Sequence, residues 1–136
     1  MKPLVTFPDP LVAALGVLRP ALAARAEPYA STARVSHKLP ARTSSTAGAD
    51  VLVASDGATG TYPVNERALV RVTVWHSDPN TAYLLASLCR ALLVTHQGSA
   101  IRSAQPVSGP IPTVDPESAT PLASVVVAAH LRPVAA

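Results

Sequence analysis

Hydrophobic and polar residues alternate along residues 68–75, and the pattern then changes to an apolar repeat every three or four positions along residues 82–93. The alternation places Val70, Val72 and Val74 on one side of an extended chain and Trp75 on the other, which predicts a strand that buries its valine face. The longer repeat predicts a helix. Its expected buried stripe consists of Leu85, Leu88, Cys89 and Leu92, widened by Tyr83, Leu84 and Ala91.

Two Asp–Pro pairs mark the expected starts of two helices. Asp9 and Asp78 can each accept a hydrogen bond from a free N–H group of the first turn. Pro10 and Pro79 fit the first helical position, because proline has no N–H group that would need a partner there. The same device therefore predicts a helix near the N-terminus and another directly after the valine strand.

The first helix is expected from about residue 10 to 26, kinked at Pro20 and ended near Pro28, because an interior proline clashes with the preceding turn. Its buried face is expected to consist of Leu11, Ala14, Leu15, Leu18 and Leu22. The second helix is expected to run to about residue 97 and to end with Gly98 in the left-handed conformation.

The remaining segments predict strands separated by turns and loops. The expected strands are residues 31–37, 50–55, 99–107 and 122–131, with a turn at 56–60, a polar loop at 38–49 and a proline-rich segment at 108–121 that cannot join a sheet interior. This order of elements predicts a single α+β domain spanning residues 1–136. Its mixed, mostly antiparallel sheet of four to five strands should have two helices packed on one face.

Composition indicates a chain that buries surface against partners. Charged residues make up 14% of the chain, against roughly 25% in typical soluble proteins. The mean hydropathy is +0.29. Charge is depleted in the centres of protein interfaces, although a composition rich in Ala and Val would give similar values.

The net charge of +3 includes a basic segment with Arg34, Lys38 and Arg42. These side chains could meet nucleic acid or an acidic protein face, or they could simply be solvated. Residues 38–48 have few apolar side chains to bury, so they are expected to be mobile in an isolated subunit. The sequence has no run of 18 apolar residues, and no membrane partner is expected.

Candidate chemistry is sparse, and no catalytic residue, metal or cofactor is expected. His37, His76, His96 and His130 are widely separated and have no ligand pattern typical of zinc sites. Cys89 lies on the predicted buried stripe, where cysteine usually behaves as a small apolar residue. Neither a Gly-x-Ser-x-Gly motif nor a phosphate-binding glycine loop is present.

The chain has an early FPDP followed by a helix, then RALVRVTVWHSDPNTAYLLASLCRALL, and then a proline-rich segment before a last apolar strand. This arrangement resembles that of the tail terminator proteins of long-tailed bacteriophages. These are also called tail-completion or minor tail proteins. The resemblance covers most of the chain as an arrangement of elements, and residues 67–93 carry its distinctive part.

The resemblance implies a structural virion protein at the head-proximal end of the tail, assembled in the host cytoplasm. It implies a hexameric ring that stops polymerisation of the tail tube and offers a docking face to the head. The implied partners are further copies of the chain, the tail tube protein and the head–tail connector protein, with DNA only passing through the ring. The candidate interface residues are Arg34, Lys38, Arg42, Trp75, Pro110 and Pro112. Other interpretations are another connector, neck or tail-assembly protein, or a small enzyme or nucleic-acid-binding domain.

Overall fold

A computed structural model describes residues 2–136. The elements follow the chain as β1 (Val5–Thr6), α1 (Pro10–Ala23), α2 (Pro28–Ser31), β2 (Arg34–Ser36), β3 (Asp50–Thr61), β4 (Asn65–Trp75), α3 (Pro79–Thr95), β5 (Ile101–Val114), β6 (Pro121–Leu131) and β7 (Val134–Ala135). The predicted α+β class is confirmed.

Five strands form the main sheet, in the order β2-β3-β4-β6-β5. The β2–β3 pair is parallel and the other three pairs are antiparallel, as expected for a mixed, mostly antiparallel sheet. The register places Val72 opposite Val53 on one side and Val125 on the other. A separate antiparallel ribbon joins β1 to β7.

The core lies between one face of the main sheet and the helices α1 and α3. Val70, Val72 and Val74 are at most 1% exposed, as the alternation predicted. They belong to one apolar cluster with Leu18 of α1 and Leu85 of α3. Both long helices therefore cover the same face of the sheet.

The capping devices of both long helices are confirmed. An Asp9 carboxylate oxygen accepts from the Leu11 N–H at 2.8 Å, and one of Asp78 accepts from the Asn80 N–H at 3.1 Å. Pro20 lies inside α1, but the predicted end near residue 26 is wrong, because α1 ends at Ala23. The chain then starts the short helix α2 with a proline at its first position.

The buried stripe of α3 is rotated from the predicted one. Its fully buried residues are Ala82, Leu85, Ala86, Cys89 and Leu93, whereas Leu88 and Leu92 are only half-buried. Tyr83, Leu84 and Ala91 are exposed, so they do not widen the stripe. The leucines of α3 point in several directions around the helix axis, and only those on the side that faces the sheet are fully buried. The predicted C-terminal device is also wrong: α3 ends at Thr95, His96 is extended, and Gly98 is not left-handed.

The predicted turn at residues 56–60 is wrong, because β3 continues through it to Thr61. The register with β4 shifts between Ser55 and Ala58, which is a bulge. Gly57 has a φ of +109° there, a conformation that glycine adopts without a steric penalty. The glycine therefore accommodates the bulge, and the chain reverses after Thr61 instead.

The proline-rich segment is partly a strand, not a loop. β5 includes Pro106, Pro110 and Pro112 and forms an edge of the sheet, so the prediction that this segment stays out of the sheet interior holds. Proline is tolerated at an edge because its missing N–H can face away from the neighbouring strand. The β5–β6 register shifts three times, and the Ser108 hydroxyl accepts from the Val126 N–H at 3.2 Å.

Two adjacent leucines of α3 differ in burial, so their truncation to alanine tests which face of the helix is buried. Leu85 is fully buried and the adjacent Leu84 is 53% exposed. We expect Leu85→Ala to lower the free energy of unfolding by about 2–5 kcal/mol, because it removes core contacts and leaves a cavity. Leu84→Ala should change it by about 0.5 kcal/mol or less. Urea unfolding measures both, and equal losses would show that the helix face is assigned wrongly.

Candidate functional site

Two of the candidate interface arginines converge on Asp50 at the start of β3. Arg34 donates to both carboxylate oxygens, at 2.7 and 3.0 Å, and Arg42 donates to one of them at 2.6 Å. The Arg42 side chain is only 2% exposed, whereas that of Arg34 is 52% exposed. Arg42 also donates to the backbone carbonyls of Gly48 and Thr46.

These contacts correct one prediction about the basic segment. Arg42 is a buried structural group and cannot meet a partner as an exposed charge. It ties its part of the segment to Asp50, whereas Leu39 is 72% exposed, and the mobility of residues 38–48 stays a prediction. Lys38 is exposed and remains a candidate contact, and Arg34 is half-exposed while paired to Asp50.

Electrostatics at Asp50 favour its ionised form. Burial raises the pKa of the carboxyl group, but hydrogen bonds from Arg34 and Arg42 outweigh burial and lower it below the ordinary value of 3.8. Two guanidinium groups therefore share one carboxylate at neutral pH. The cluster joins β2, β3 and the connecting segment, and its role is to fix this corner of the fold.

Trp75 is covered by its own chain and is not an exposed contact. It faces away from the valines, as predicted, but only 5% of it is accessible. The indole N–H donates to an Asp115 carboxylate oxygen at 3.1 Å. Ser118 and Thr120 are buried beside it in the segment that joins β5 to β6.

The edge strand β5 carries the two candidate prolines together with apolar residues that sequence analysis missed. Pro110 is half-buried and Pro112 is exposed. Val107, Ile111 and Val114, which we call the β5 row, are 51%, 59% and 58% exposed. Ile111 and Val114 were missed because the prolines indicated a loop, whereas Val107 lay at the end of a predicted strand but was not named as a contact. The available signal was the apolar residue beside a proline, namely Val107 after Pro106 and Ile111 between Pro110 and Pro112.

The sheet face opposite the helices is the second feature that sequence analysis missed. We call it the open face; it consists of Leu52, Ala54, Leu69, Arg71, Thr73, Ser108, Ile111, Thr113, Leu122, Ser124, Val126 and Ala128. Most of these residues are half-buried, and the helices cover only the other face. The sequence did contain a signal, since the continuous apolar run in β6 is typical of strands covered on both faces.

A groove of about 690 Å³ lies along the outer side of α1. Its walls are mainly apolar and include Leu11, Val12, Leu15, Gly16 and Pro20. Arg19 lines it too, but its Nε group donates to the Val35 carbonyl. The groove can bind apolar groups, and its lining offers no arrangement of a nucleophile and a base.

Metal-binding and nucleophilic groups show no assembled site within residues 2–136. No three His, Cys, Asp or Glu side chains in that range lie close enough together to hold a metal ion. Cys89 is buried among apolar residues, and this burial raises the pKa of its thiol to about 12. A thiol with that pKa is a poor nucleophile at neutral pH.

The sequence comparisons assign no family to this chain: no protein-family model matches it, and no curated protein resembles it in sequence. The resemblance to tail terminators therefore stays a prediction. Of the helices in the described residues, none is long and apolar enough to cross a membrane.

The Asp50 cluster predicts a large difference between two similar substitutions. We expect Asp50→Asn to lower the free energy of unfolding by about 3 kcal/mol or more, because it leaves the buried Arg42 without a counter-charge. Asp56→Asn, which breaks the more exposed pair with Arg71, should cost about 1 kcal/mol or less. Urea unfolding at neutral pH measures both, and similar costs would contradict a structural role for the cluster.

The same variant has a pH signature. A carboxyl group with a lowered pKa in the folded state contributes stability above its ordinary pKa of 3.8 and loses it as the pH falls further. The parent should therefore lose stability in acid more steeply than Asp50→Asn. Parallel pH profiles would show that Asp50 is not the responsible group.

Burial of Cys89 predicts an unreactive thiol. With a pKa of about 12, only about one thiol in ten thousand is ionised at pH 8. An aromatic disulfide reagent should therefore label the folded protein only as fast as it opens, and label the denatured protein at once. Rapid labelling without denaturant would contradict the assigned face of α3.

Proposed function

We propose that this chain is a structural virion protein that forms a ring on the head-proximal end of a phage tail tube. The ring stops polymerisation of the tube and offers a docking face to the head. The motif arrangement described above supports this proposal, and the β5 row is the structural observation that carries it.

The β5 row supports self-association because it exposes three large apolar side chains at one edge of the sheet, with Ile111 and Val114 on opposite faces of that edge. Val107, Ile111 and Val114 are each more than half exposed, in a chain with only 14% charged residues. Large exposed apolar patches mark interaction surfaces. In the proposed ring, this row lies against a different surface of the neighbouring copy. Repeated head-to-tail contacts of this kind form a closed ring when the rotations between neighbouring copies add up to a full circle.

The contact made by β5 would be a side-chain contact. Pro106, Pro110 and Pro112 have no N–H groups, so a neighbour cannot form a regular hydrogen-bonded ladder along this edge. A segment with fixed backbone angles loses less conformational entropy on docking. Pro112 is exposed and would take part, whereas Arg42 and Trp75 are no longer candidates for this contact.

The proposed ring predicts a tail phenotype for single substitutions in β5. Deleting the gene in its phage should give over-long tails or tails without heads. Supplying Val107→Asp should fail to restore normal tails, because a charge in the row disfavours the contact. Leu84→Asp, an equivalent change at a 53% exposed residue of α3, is the control and should restore them. Electron microscopy of lysates measures tail length and head attachment.

Two results would contradict the proposal. Normal tails joined to heads after deletion would show that the protein is not a terminator. Full rescue by Val107→Asp, with the same protein level as the parent, would show that β5 is not the contact between copies.

A further inference from the structure

We infer that the open face is a docking surface for a second copy of this chain, packed face to face about a two-fold axis that runs across the strands. This inference goes beyond the proposed ring and does not depend on it, although Ile111 belongs to the open face as well as to the β5 row. A two-fold pair is closed, whereas the ring uses head-to-tail contacts made by β5.

The open face has the composition of a surface that another layer covers. Leu52, Leu69, Leu122 and Val126 project from three adjacent strands, with the fully buried Ala128 between them. A sheet is normally stabilised by an apolar layer on each of its apolar faces. Helices α1 and α3 supply this layer on the valine side only.

The open face is large enough for a specific pair. From the row of Arg67 to the row of Trp75 it is about 27 Å long, and the four long strands make it about 19 Å wide. One copy would therefore bury about 500 Å², and the pair about 1,000 Å², which reaches the lower limit of specific interfaces. Two sheets packed in this way would lie about 10 Å apart.

Unpaired charges of opposite sign lie at the two ends of the open face. Arg67 and Arg102 are at one end, where Arg102 donates to the Asn65 side chain at 3.0 Å. Asp115 and Glu117 are at the other end, beside Trp75. None of these four residues takes part in any of the ion pairs within residues 2–136.

This distribution of charge selects the orientation of the pair. An axis across the strands places each basic end over the acidic end of the other copy, with Arg102 opposite Asp115 and Glu117. An axis along the strands would place Arg67 and Arg102 over the basic end of the other copy, which is repulsive. It would gain only at the Trp75 end, where Asp115 and Glu117 would meet the net positive cluster of Asp50 with Arg34 and Arg42. Arg71, in the middle of the face, is already paired to Asp56 at 2.8 Å and brings no unpaired charge to the axis.

The mass of the purified chain in solution tests the surface. At a concentration of about 0.1 mM, a specific pair of this size should be populated, with twice the monomer mass of 14.0 kDa. Val126→Arg, in the middle of the open face, should give monomers with an unchanged circular dichroism spectrum. Leu84→Arg, at a 53% exposed residue of α3 on the helix side of the sheet, is the control and should stay paired. Light scattering after size-exclusion chromatography measures these masses.

A charge reversal tests the orientation separately. Arg102→Glu or Glu117→Arg alone should raise the dissociation constant about tenfold at low salt, and the double variant should return it to within about threefold of the parent. A merely structural effect of either substitution would not be rescued by the other. Sedimentation equilibrium measures the dissociation constants.

The outcomes separate this inference from the proposed function. A monomeric parent, a pair that Val126→Arg leaves intact, or reversals without rescue would each overturn the face-to-face pair. Rings with the same mass in the parent and in Val126→Arg would overturn it too, while supporting the proposed ring. Dimers with the expected response to Val126→Arg would uphold the inference even if tails are normal without the gene.

Discussion

Burial of the valine face of β4 is the constraint on which the rest of the structure depends. Val72 lies between Val53 and Val125 in a row across three strands, and all three side chains are fully buried. This row determines which side of β3 and β6 faces the helices. Because neighbouring side chains of a strand point to opposite faces, it also determines which residues form the open face.

The sequence predicts best where structure depends on neighbouring residues. Both Asp–Pro starts are correct, because a cap and the following proline act within one helical turn. The strand containing Val70, Val72 and Val74 is also correct, because alternation is a local pattern. These features were enough to obtain the fold class and the side of the sheet that the helices cover.

The errors occur where distant residues decide the outcome. Gly57 lies in a bulge and not in a turn because β4 continues to pair beyond it. Arg42 is buried because it reaches Asp50, and Trp75 is covered by a segment forty residues further along the chain. Composition could not show these contacts, so two of the six candidate interface residues were assigned to the surface wrongly. The β5 row was hidden for a similar reason, since prolines indicate a loop until the strand is placed at an edge.

The prolines of β5 also affect how the chain behaves at high concentration. A long, flat and apolar edge strand is a template for amyloid-like growth, because further chains can add to its free backbone groups. Pro106, Pro110 and Pro112 interrupt this template along β5. At the opposite edge, β2 pairs with only the first three residues of β3, and the bulge at Gly57 interrupts the uncovered part of β3. Both edges therefore have a feature that opposes fibril formation, although half of the residues are hydrophobic. The chain can therefore expose apolar side chains on β5 at high concentration without joining its sheets into fibres.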